Sequence, residues 1–364
     1  MPTVFILNPK EVTSLPPTLM SLVFWPNFRF KIPEKRLFLR EIMAQYETPF
    51  FSLADSPKTA DFVAVPLEYF FAKKYAPHYL ARAYDSAARA GKKVLLFDYT
   101  DYVDTTPELP SHTVLFRVSA YRHHKRHNEI VMPYFVEDMG VRFDIAPKER
   151  GAPLVVGYCG QAEFGSPAKH VKAIVKDGCR NIRLRLQRDA FQVAHRQGIL
   201  WRRACLRQLE KSDIARHIIK RSFYSLHSSG VSRDHGEIRK EYAHNLSQCD
   251  LALCVRGDAN ASQRFYEALS ASRIPLFLDT DCVLPLEELI SYDEFMVRIP
   301  SSDIRRIGEY VREFDRSTSA ASFVEREKRA REIYERHLRL DRYFSIVFDR
   351  AKSPYKDILY STKD

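Results

Sequence analysis

Short apolar runs alternate along this chain with longer segments in which apolar residues recur at helical spacing. In the first part of the chain, β-branched and aromatic runs predict strands at residues 3–7, 62–66, 93–97, 113–118 and 129–133. Residues 67–90 carry a helical pattern that is interrupted at Pro77 and closed by Gly91, so we expect a kinked or split helix there. Strand, helix and strand in this order predict a parallel sheet with helices on its faces.

A second series of the same kind follows a break in the pattern. Residues 145–153 read IAPKERGAP, a composition typical of a connection between domains, and we place the boundary near residue 150. Beyond it the patterns predict strands at 154–159, 183–186, 251–255, 274–278 and 294–299, and helices at about 168 onward, 196–219, 236–247, 262–271 and 302–315. The expected fold class is α/β, with Rossmann-like domains at 1–150 and 151–319 and closing helices at 320–364.

Composition and charge narrow the choice of partner. A length of 364 residues suits two domains, each with its own core. Lys and Arg number 57 against 46 acidic residues, which gives a formal charge of +11 and favours anionic ligands, anionic membrane surfaces or nucleic acid. The basic residues are dispersed and form no stripe interleaved with aromatic residues, so nucleic acid is the least favoured of the three.

The cysteine spacing and the start of the chain indicate a cytoplasmic setting. Six cysteines show no C-x-x-C spacing, which is typical of reduced thiols in a reducing compartment. The first 30 residues lack a basic segment followed by a continuous apolar run, and no stretch reaches the ~18 apolar residues of a membrane span. We therefore expect a cytoplasmic protein whose basic faces could rest peripherally on an anionic membrane.

The segment most suggestive of chemistry is CDLALCVRGDANASQRFYEALSASRIPLFL at residues 249–278. An apolar strand leads into a loop with Arg256 and Gly257, and Ser262 then opens an amphipathic helix. The helix start would offer unpaired N–H groups to an anion, and Arg256 and Arg264 would add forked donors for phosphate. Glu267 lies further along the same helix and could accept hydrogen bonds from ribose hydroxyls. A purely structural interpretation fits the sequence equally well: Ser262 is an ordinary N-cap, Arg264 and Glu267 form a surface ion pair, and Arg256 is solvated.

The string LCVRGDANASQRFYEALSASRIPLFLDTDCVLP resembles the signature of the exostosin-like glycosyltransferases of family 47, whose pattern is C-x-R-G, then S-x-R-x-x-E-A-L, then I-P before a strand. Further similarity lies in TADFVAVPLEYF, KKVLLFDYTD, EIVMPYF and LVVGYCGQ, in the same order along the chain. One position departs from the pattern, because Ser272 stands where the family usually has glycine, and this puts the tightness of that turn in doubt.

The resemblance implies a GT-B fold, in which two Rossmann-like domains face each other across a cleft. It implies that the second domain holds the donor, a UDP-sugar by preference or a GDP-sugar, and that the first holds a glycan or glycolipid acceptor. By position, Arg256 with Gly257, Ser262 and Arg264 would hold the diphosphate, and Glu267 the ribose. A turn from Gly157 to Gly160 would let the backbone approach the donor. The resemblance further implies inversion at the anomeric carbon, with no metal and no other cofactor.

An inverting transfer requires a base for the acceptor hydroxyl. Four carboxylates follow predicted strands and could face the cleft: Glu68, Asp98, Asp101 and Asp104. We rank Asp101 and Glu68 first, although each could simply cap or turn its loop. His123 and His127 are four residues apart, but with Arg122, Lys125 and Arg126 around them they indicate a basic loop rather than a metal site.

Two further interpretations remain open at this stage. The loop at 221–236 could line the donor pocket or be a plain surface loop. The chain could also be a non-catalytic basic α/β protein that binds nucleic acid, or an inactive exostosin-like partner subunit.

Overall fold

The computed structural model describes residues 1–31, 37–103, 105, 107–186, 196–223 and 234–361. Two parallel sheets organise this part of the chain.

The first sheet has six strands in the order β2-β1-β3-β4-β5-β6. They are β1 (Thr3–Phe5), β2 (Ser52–Leu53), β3 (Phe62–Glu68), β4 (Val94–Asp98), β5 (Thr113–Arg117) and β6 (Glu129–Val131). Every residue of β3, β4 and β5 is buried, which explains why these strands are continuous apolar runs in the sequence. Because β1 pairs with both β2 and β3, the strand order reverses beside β1.

The second sheet has five strands in the order β11-β10-β9-β7-β8. They are β7 (Val155–Gln161), β8 (Ala215–Arg221), β9 (Leu251–Cys254), β10 (Ile274–Asp279) and β11 (Val297–Pro300). The order reverses at β7, which pairs with β8 on one side and β9 on the other. In open parallel sheets, ligands bind outside the carboxyl ends of the strands at such a reversal.

Helices connect and cover both sheets. They are α1 (Pro9–Ser14), α2 (Trp25–Phe28), α3 (Leu37–Ala44), α4 (Tyr69–Tyr75), α5 (Pro77–Ala90), α6 (Met139–Phe143), α7 (Pro167–Leu186), α8 (Gly198–Glu210), α9 (His235–Gln248), α10 (Gln263–Ser270), α11 (Ile307–Ser317), α12 (Ala320–Ile333), α13 (Leu340–Val347) and α14 (Lys356–Tyr360). The predicted split helix is confirmed, because α4 ends at Tyr75 and Pro77 begins α5. Within the described ranges, no helix combines the length and the apolar character needed to cross a bilayer.

Three sequence-based expectations about the second domain are wrong. Residues 183–186 are the last turn of α7 and not a strand. The helix expected at 196–219 ends at Glu210, and its predicted end is strand β8, which pairs with β7 along seven residues. The edge strand β8 is only partly buried and carries a mixed basic and aliphatic sequence, so no apolar run marks it. The stretch from Gly157 to Gly160 lies within β7 and is not a turn.

The last helices return to the first sheet. Phe344 and Phe348 of this closing segment lie among the aromatic residues of the first core, with ring centroids 5.6 Å from Phe51 to Phe344 and 5.7 Å from Phe116 to Phe348. Offset and edge-on ring contacts of this kind add to the free energy of burial. The chain therefore crosses between the two sheets twice.

The loops at the carboxyl ends of the two sheets meet each other. Asp101, after β4, accepts a hydrogen bond from the backbone N–H of Ala259 at 3.2 Å. The Asn260 amide donates to the carbonyl oxygen of Ala120, after β5, at 3.3 Å. The expected fold class, two Rossmann-like domains facing each other in the GT-B manner, is confirmed.

Candidate functional site

The site forms where the strand order of the second sheet reverses, between β7 and β9. The Arg202 side chain of α8 bridges the two strand ends, since it donates to the carbonyl oxygens of Arg256 at 3.3 Å and Gln161 at 3.2 Å. The start of α8 packs tightly against the loop after β9, because a Cβ on Gly198 would lie 2.5 Å from the carbonyl oxygen of Gly257. Only glycine fits here, and the loop after β9 is therefore held rigidly against α8.

Helix α10 begins at this place, as the sequence predicts. Its N-cap residue, Ser262, has an extended backbone, and its side chain makes no capping hydrogen bond. A predicted role of Ser262 as an ordinary side-chain cap is therefore not seen. The N–H of Phe265 donates to the carbonyl oxygen of Ser262 at 3.1 Å, so the N–H groups of Gln263 and Arg264 are the two at the helix start that an anion could bind.

Arg264 occupies the space between α10 and the end of β7. Its guanidinium carbon lies 4.4 Å from the ring centre of Tyr158 and 5.6 Å from that of Tyr242, so two tyrosine rings orient it. Its Nη2 donates to the carbonyl oxygen of Cys159 at 2.5 Å. The Nε is buried without a hydrogen-bond partner among the described residues, and none of the salt bridges seen there involves this arginine. It is an oriented cation with donor capacity to spare.

Gly160 lies beneath that guanidinium. A Cβ at this position would collide with Nη2 of Arg264. The sequence assigned Gly160 to close approach of the backbone to the donor. In the structure the group that approaches Gly160 is Arg264, so the absence of a side chain at 160 is what lets the guanidinium lie against the strand end.

Glu267, one turn further along α10, is almost fully buried and already has a cationic partner. Its carboxylate accepts from Nη1 of Arg239 at 2.7 Å, and Arg239 also donates to Glu137 at 3.1 Å. Burial, reinforced by the negative charge of Glu267, raises the pKa of Tyr242 well above its usual value. A chain of alternating charges thus runs beside Arg264 and fixes the orientation of the Glu267 carboxylate.

Arg256 points across the interface and not into open space. Its guanidinium is buried and donates to the Tyr121 hydroxyl at 2.6 Å, to Oδ1 of Asn260 at 3.0 Å and to the carbonyl oxygen of Asp258 at 2.8 Å. Tyr121 belongs to the first domain, so Arg256 ties the loop after β9 to the loop after β5. Its assignment to the diphosphate stays a prediction, with most of its donors engaged by the protein itself.

Asp101 lies at the same interface, on the loop after β4. Partial burial of its carboxyl group raises its pKa, and the neighbouring carboxylate of Asp258 raises it further. The residue remains exposed to solvent. A carboxylate that is open to solvent and has a raised pKa is a stronger base than an ordinary aspartate and can accept a proton from a hydroxyl group bound beside it.

Glu68, the other candidate base, is fully buried. Its carboxyl oxygens accept from the backbone N–H groups of Phe70 at 3.3 Å and Phe71 at 2.9 Å, so it caps helix α4. Burial and the nearby Asp98 raise the pKa of Glu68 to about 8. Asp98 in turn accepts from Nε of Arg117 at 2.9 Å. The structure does not bring Glu68 to the surface beside Asp101.

The histidine cluster contributes to the domain contact. His123 Nδ1 lies against the carboxylate of Asp281 in the second domain, and Arg122 donates to Glu287 at 3.0 Å. Among the described residues, no group of three or more His, Cys, Asp or Glu side chains could hold a metal ion. Asp104 and residues 224–233 of the loop at 221–236 lie outside the described residues.

Four functional neighbours escaped the sequence analysis: Arg202, Arg239, Tyr158 and Tyr242. Tyr158 and Arg202 come from β7 and α8, far from residues 249–278 in sequence, whereas Arg239 and Tyr242 lie on α9, just before that segment. No spacing in the chain indicates that Tyr158, Arg239 and Tyr242 lie beside Arg264 and Glu267, or that Arg202 contacts the loop at Arg256. Tyr158 stands inside the quoted string LVVGYCGQ, which was the one available signal.

Comparisons with known proteins bear on this site. Residues 187–314 match the model of the Exostosin GT47 domain. Three matches to solved structures all have TM-scores below 0.5, and one of them is HepE of Anabaena in complex with UDP-glucose, 8% identical, covering 95% of this chain and 98% of that chain with a TM-score of 0.37. An α1,3-fucosyltransferase is 11% identical, with 100% and 91% covered and a TM-score of 0.36. A glycosyltransferase from Rickettsia africae is 8% identical, with 99% of each chain covered and a TM-score of 0.39. The match over residues 187–314 shows that this part of the chain, which contains Arg256, Arg264 and Glu267, is similar to the Exostosin GT47 domain.

Proposed function

We propose that the protein transfers a sugar, with inversion, from a nucleotide diphosphate-sugar to a hydroxyl of a glycan or glycolipid, and that the preferred donor is a UDP-sugar. The observation that carries this proposal is Arg264, held between two tyrosine rings at the start of a helix and at the reversal of strand order.

The groups around Arg264 at the start of α10 suit a diphosphate. Arg264 has no carboxylate within salt-bridge distance among the described residues, and its Nε is unsatisfied there, so an anion would supply the missing acceptor. The backbone N–H groups at the start of α10 point to the same place and carry the positive end of the helix dipole. Arg256 then acts by fixing the loop that leads into α10.

Glu267 is proposed to receive the ribose. Arg239 donates to one carboxylate oxygen and orients the group. A carboxylate has about four acceptor sites, so hydroxyl groups of a ribose can bind in addition to this arginine.

The proposed reaction is a single displacement. The acceptor oxygen attacks the anomeric carbon, the bond from that carbon to the diphosphate oxygen breaks, and the acceptor proton passes to Asp101. Arg264 and the start of α10 stabilise the negative charge that develops on the departing diphosphate. The protein residues therefore account for both the proton and the leaving group.

The proposal is tested by incubating the purified protein with a panel of UDP- and GDP-sugars and glycan or glycolipid acceptors. We expect acceptor-dependent release of UDP, and a product whose anomeric configuration, read by NMR, is opposite to that of the donor. Retention of configuration would refute the mechanism. Saturable UDP binding without turnover across the panel would favour the inactive partner subunit instead.

A further inference from the structure

Helix α7 exposes an apolar stripe that none of the described residues covers. Its aliphatic side chains on this stripe are largely exposed, at 60% for Val171, 52% for Ile174, 57% for Val175, 61% for Ile182 and 80% for Leu186. At 100° per residue these five positions lie on one face of the 20-residue helix, with Gly178 and Cys179 between Val175 and Ile182 and with the exposed Arg185 on the same face. Isolated exposed aliphatic residues are ordinary, but five on one helix face over ~23 Å mark an interaction surface.

A second stripe on the same helix is basic. Lys169, Lys172, Lys176 and Arg183 are exposed and follow the helix beside the apolar row. The helix carries six Lys or Arg residues in all and one acidic residue, Asp177, which is buried on the third face. An exposed apolar face bordered by lysine and arginine is typical of helices that lie in the interface of a bilayer.

The third face of α7 fixes the helix to the body of the domain. Asp177 accepts from the backbone N–H of Gln197 at 2.9 Å and from its side-chain amide at 3.0 Å, and the same amide donates to the carbonyl oxygen of Ala173 at 3.1 Å. Gln197 directly precedes Gly198, the residue that packs against the loop after β9. Helix α7 is therefore linked through Gln197 to the start of α8, in the domain that carries the donor site.

We propose that α7 docks the protein onto a phospholipid bilayer with anionic headgroups. The aliphatic stripe enters the acyl boundary, and the basic stripe meets the lipid phosphates. The charge of the helix favours a bilayer over a second copy of the chain or nucleic acid. A second copy would place its six basic residues against the six of the first, which repel each other, and nucleic acid would leave the aliphatic row in water. An anionic bilayer satisfies both stripes at once, and this docking does not depend on the proposed sugar transfer.

The cysteines provide a reporter for the test. Cys179 lies on α7 and is exposed, while the other five cysteines are buried. A thiol-reactive, environment-sensitive fluorophore on the folded protein will therefore label Cys179 selectively, and a Cys179→Ser variant controls for other labelling. With vesicles of phosphatidylglycerol and phosphatidylcholine we expect a blue shift and co-sedimentation, and neither with phosphatidylcholine alone.

Matched variants separate the two stripes. Ile182→Asp should weaken vesicle binding on the order of 10- to 100-fold, since it removes one aliphatic side chain that the bilayer would bury. The control is Val141→Asp, which alters a valine that is 73% exposed on α6, and should leave binding unchanged. The pair Lys172→Glu and Lys176→Glu should weaken binding at least ~25-fold, at about fivefold per lysine. The pair Lys10→Glu and Lys58→Glu makes the same change in net charge elsewhere and should have a much smaller effect.

Three outcomes would overturn the proposal: equal binding to neutral and anionic vesicles, equal losses for the two lysine pairs, or a fluorophore shift that follows protein concentration without lipid. The last would identify a second copy as the occupant. A shift produced by RNA and not by vesicles would identify nucleic acid. Circular dichroism of each variant confirms that these surface changes leave the fold intact.

Discussion

Replacing Arg256 by alanine tests whether this arginine holds the protein together or holds the ligand. The guanidinium is buried and makes three hydrogen bonds of 2.6–3.0 Å, one of them to Tyr121 in the other domain. A hydrogen bond from a charged donor contributes about 1.5–3 kcal/mol, and its loss leaves the acceptors buried without a partner. Removing the guanidinium also removes its own cost of burial. We expect a net loss of about 3–5 kcal/mol in the free energy of unfolding.

Urea unfolding followed by near-UV circular dichroism measures this loss. Tyr121→Phe deletes one acceptor of Arg256 and should cost less, about 1–2 kcal/mol, and the two effects should not add, because both changes remove the same bond. Arg316→Ala, at an arginine whose side chain is 75% exposed, is the matched control and should change stability by less than about 0.5 kcal/mol. The reasoning is refuted if Arg256→Ala unfolds like the wild type and instead abolishes nucleotide binding.

Three other changes probe the remaining parts of the site. Gly160→Ala should weaken UDP binding by the folded protein at least ~10-fold, because its Cβ displaces the Arg264 guanidinium, and should also lower stability, because Gly160 has a backbone φ of +159° that residues with a side chain rarely adopt. Calorimetry checks the binding, and Gly178→Ala, where a Cβ meets nothing within 4 Å, should bind normally. Asp101→Asn should lower kcat ~10²- to 10⁴-fold and remove the acidic limb of the pH–rate profile. The reason is that the wild-type carboxylate loses its proton-accepting form as the pH falls through its raised pKa. An unchanged acidic limb in the variant would exclude Asp101 as the base. The pKa of Glu68 is about 8 in the folded protein against an ordinary value of 4.5, so its contribution to stability is complete below about pH 4.5 and is lost as the pH rises to about 8. Glu68→Gln should therefore make the free energy of unfolding, measured with urea at pH 5 and pH 8, less dependent on pH. The same pH dependence in the wild type and the variant would contradict the assigned burial.

The fold was predictable wherever burial leaves a mark on the sequence. Strands β3, β4 and β5 are buried on both faces and appear as unbroken apolar runs. Strand β8 lies at an edge and is only partly buried, so its sequence ARHIIKR carries no such mark and was taken as the end of a helix. The prediction at the end of α7 failed in the opposite way, because Leu184 and Leu186 alternate with Arg183 and Arg185 and so imitate the alternation of a strand.

The site was predictable in its position but not in its contacts. An apolar strand, a loop and a helix start locate Arg264 at the carboxyl edge of a sheet from local pattern alone. The direction of each arginine depends on groups distant in sequence. Arg264 meets the carbonyl oxygen of Cys159, 105 residues earlier, and Arg256 meets Tyr121, 135 residues earlier. No spacing within the chain encodes which of the two guanidinium groups is left with spare donors.

The central claim is that Arg264 provides the cation of a diphosphate pocket, and calorimetric titration with UDP tests it most directly. The wild-type protein and Arg306→Ala, at an arginine whose side chain is 59% exposed far along the chain, should bind UDP at one saturable site with equal affinity. Arg264→Ala should bind about 10- to 100-fold more weakly, as the loss of a charged hydrogen-bond donor requires, and Arg264→Lys should recover only part of that loss. Equal affinity in the wild type and Arg264→Ala, or no UDP binding by the wild type, would contradict the account.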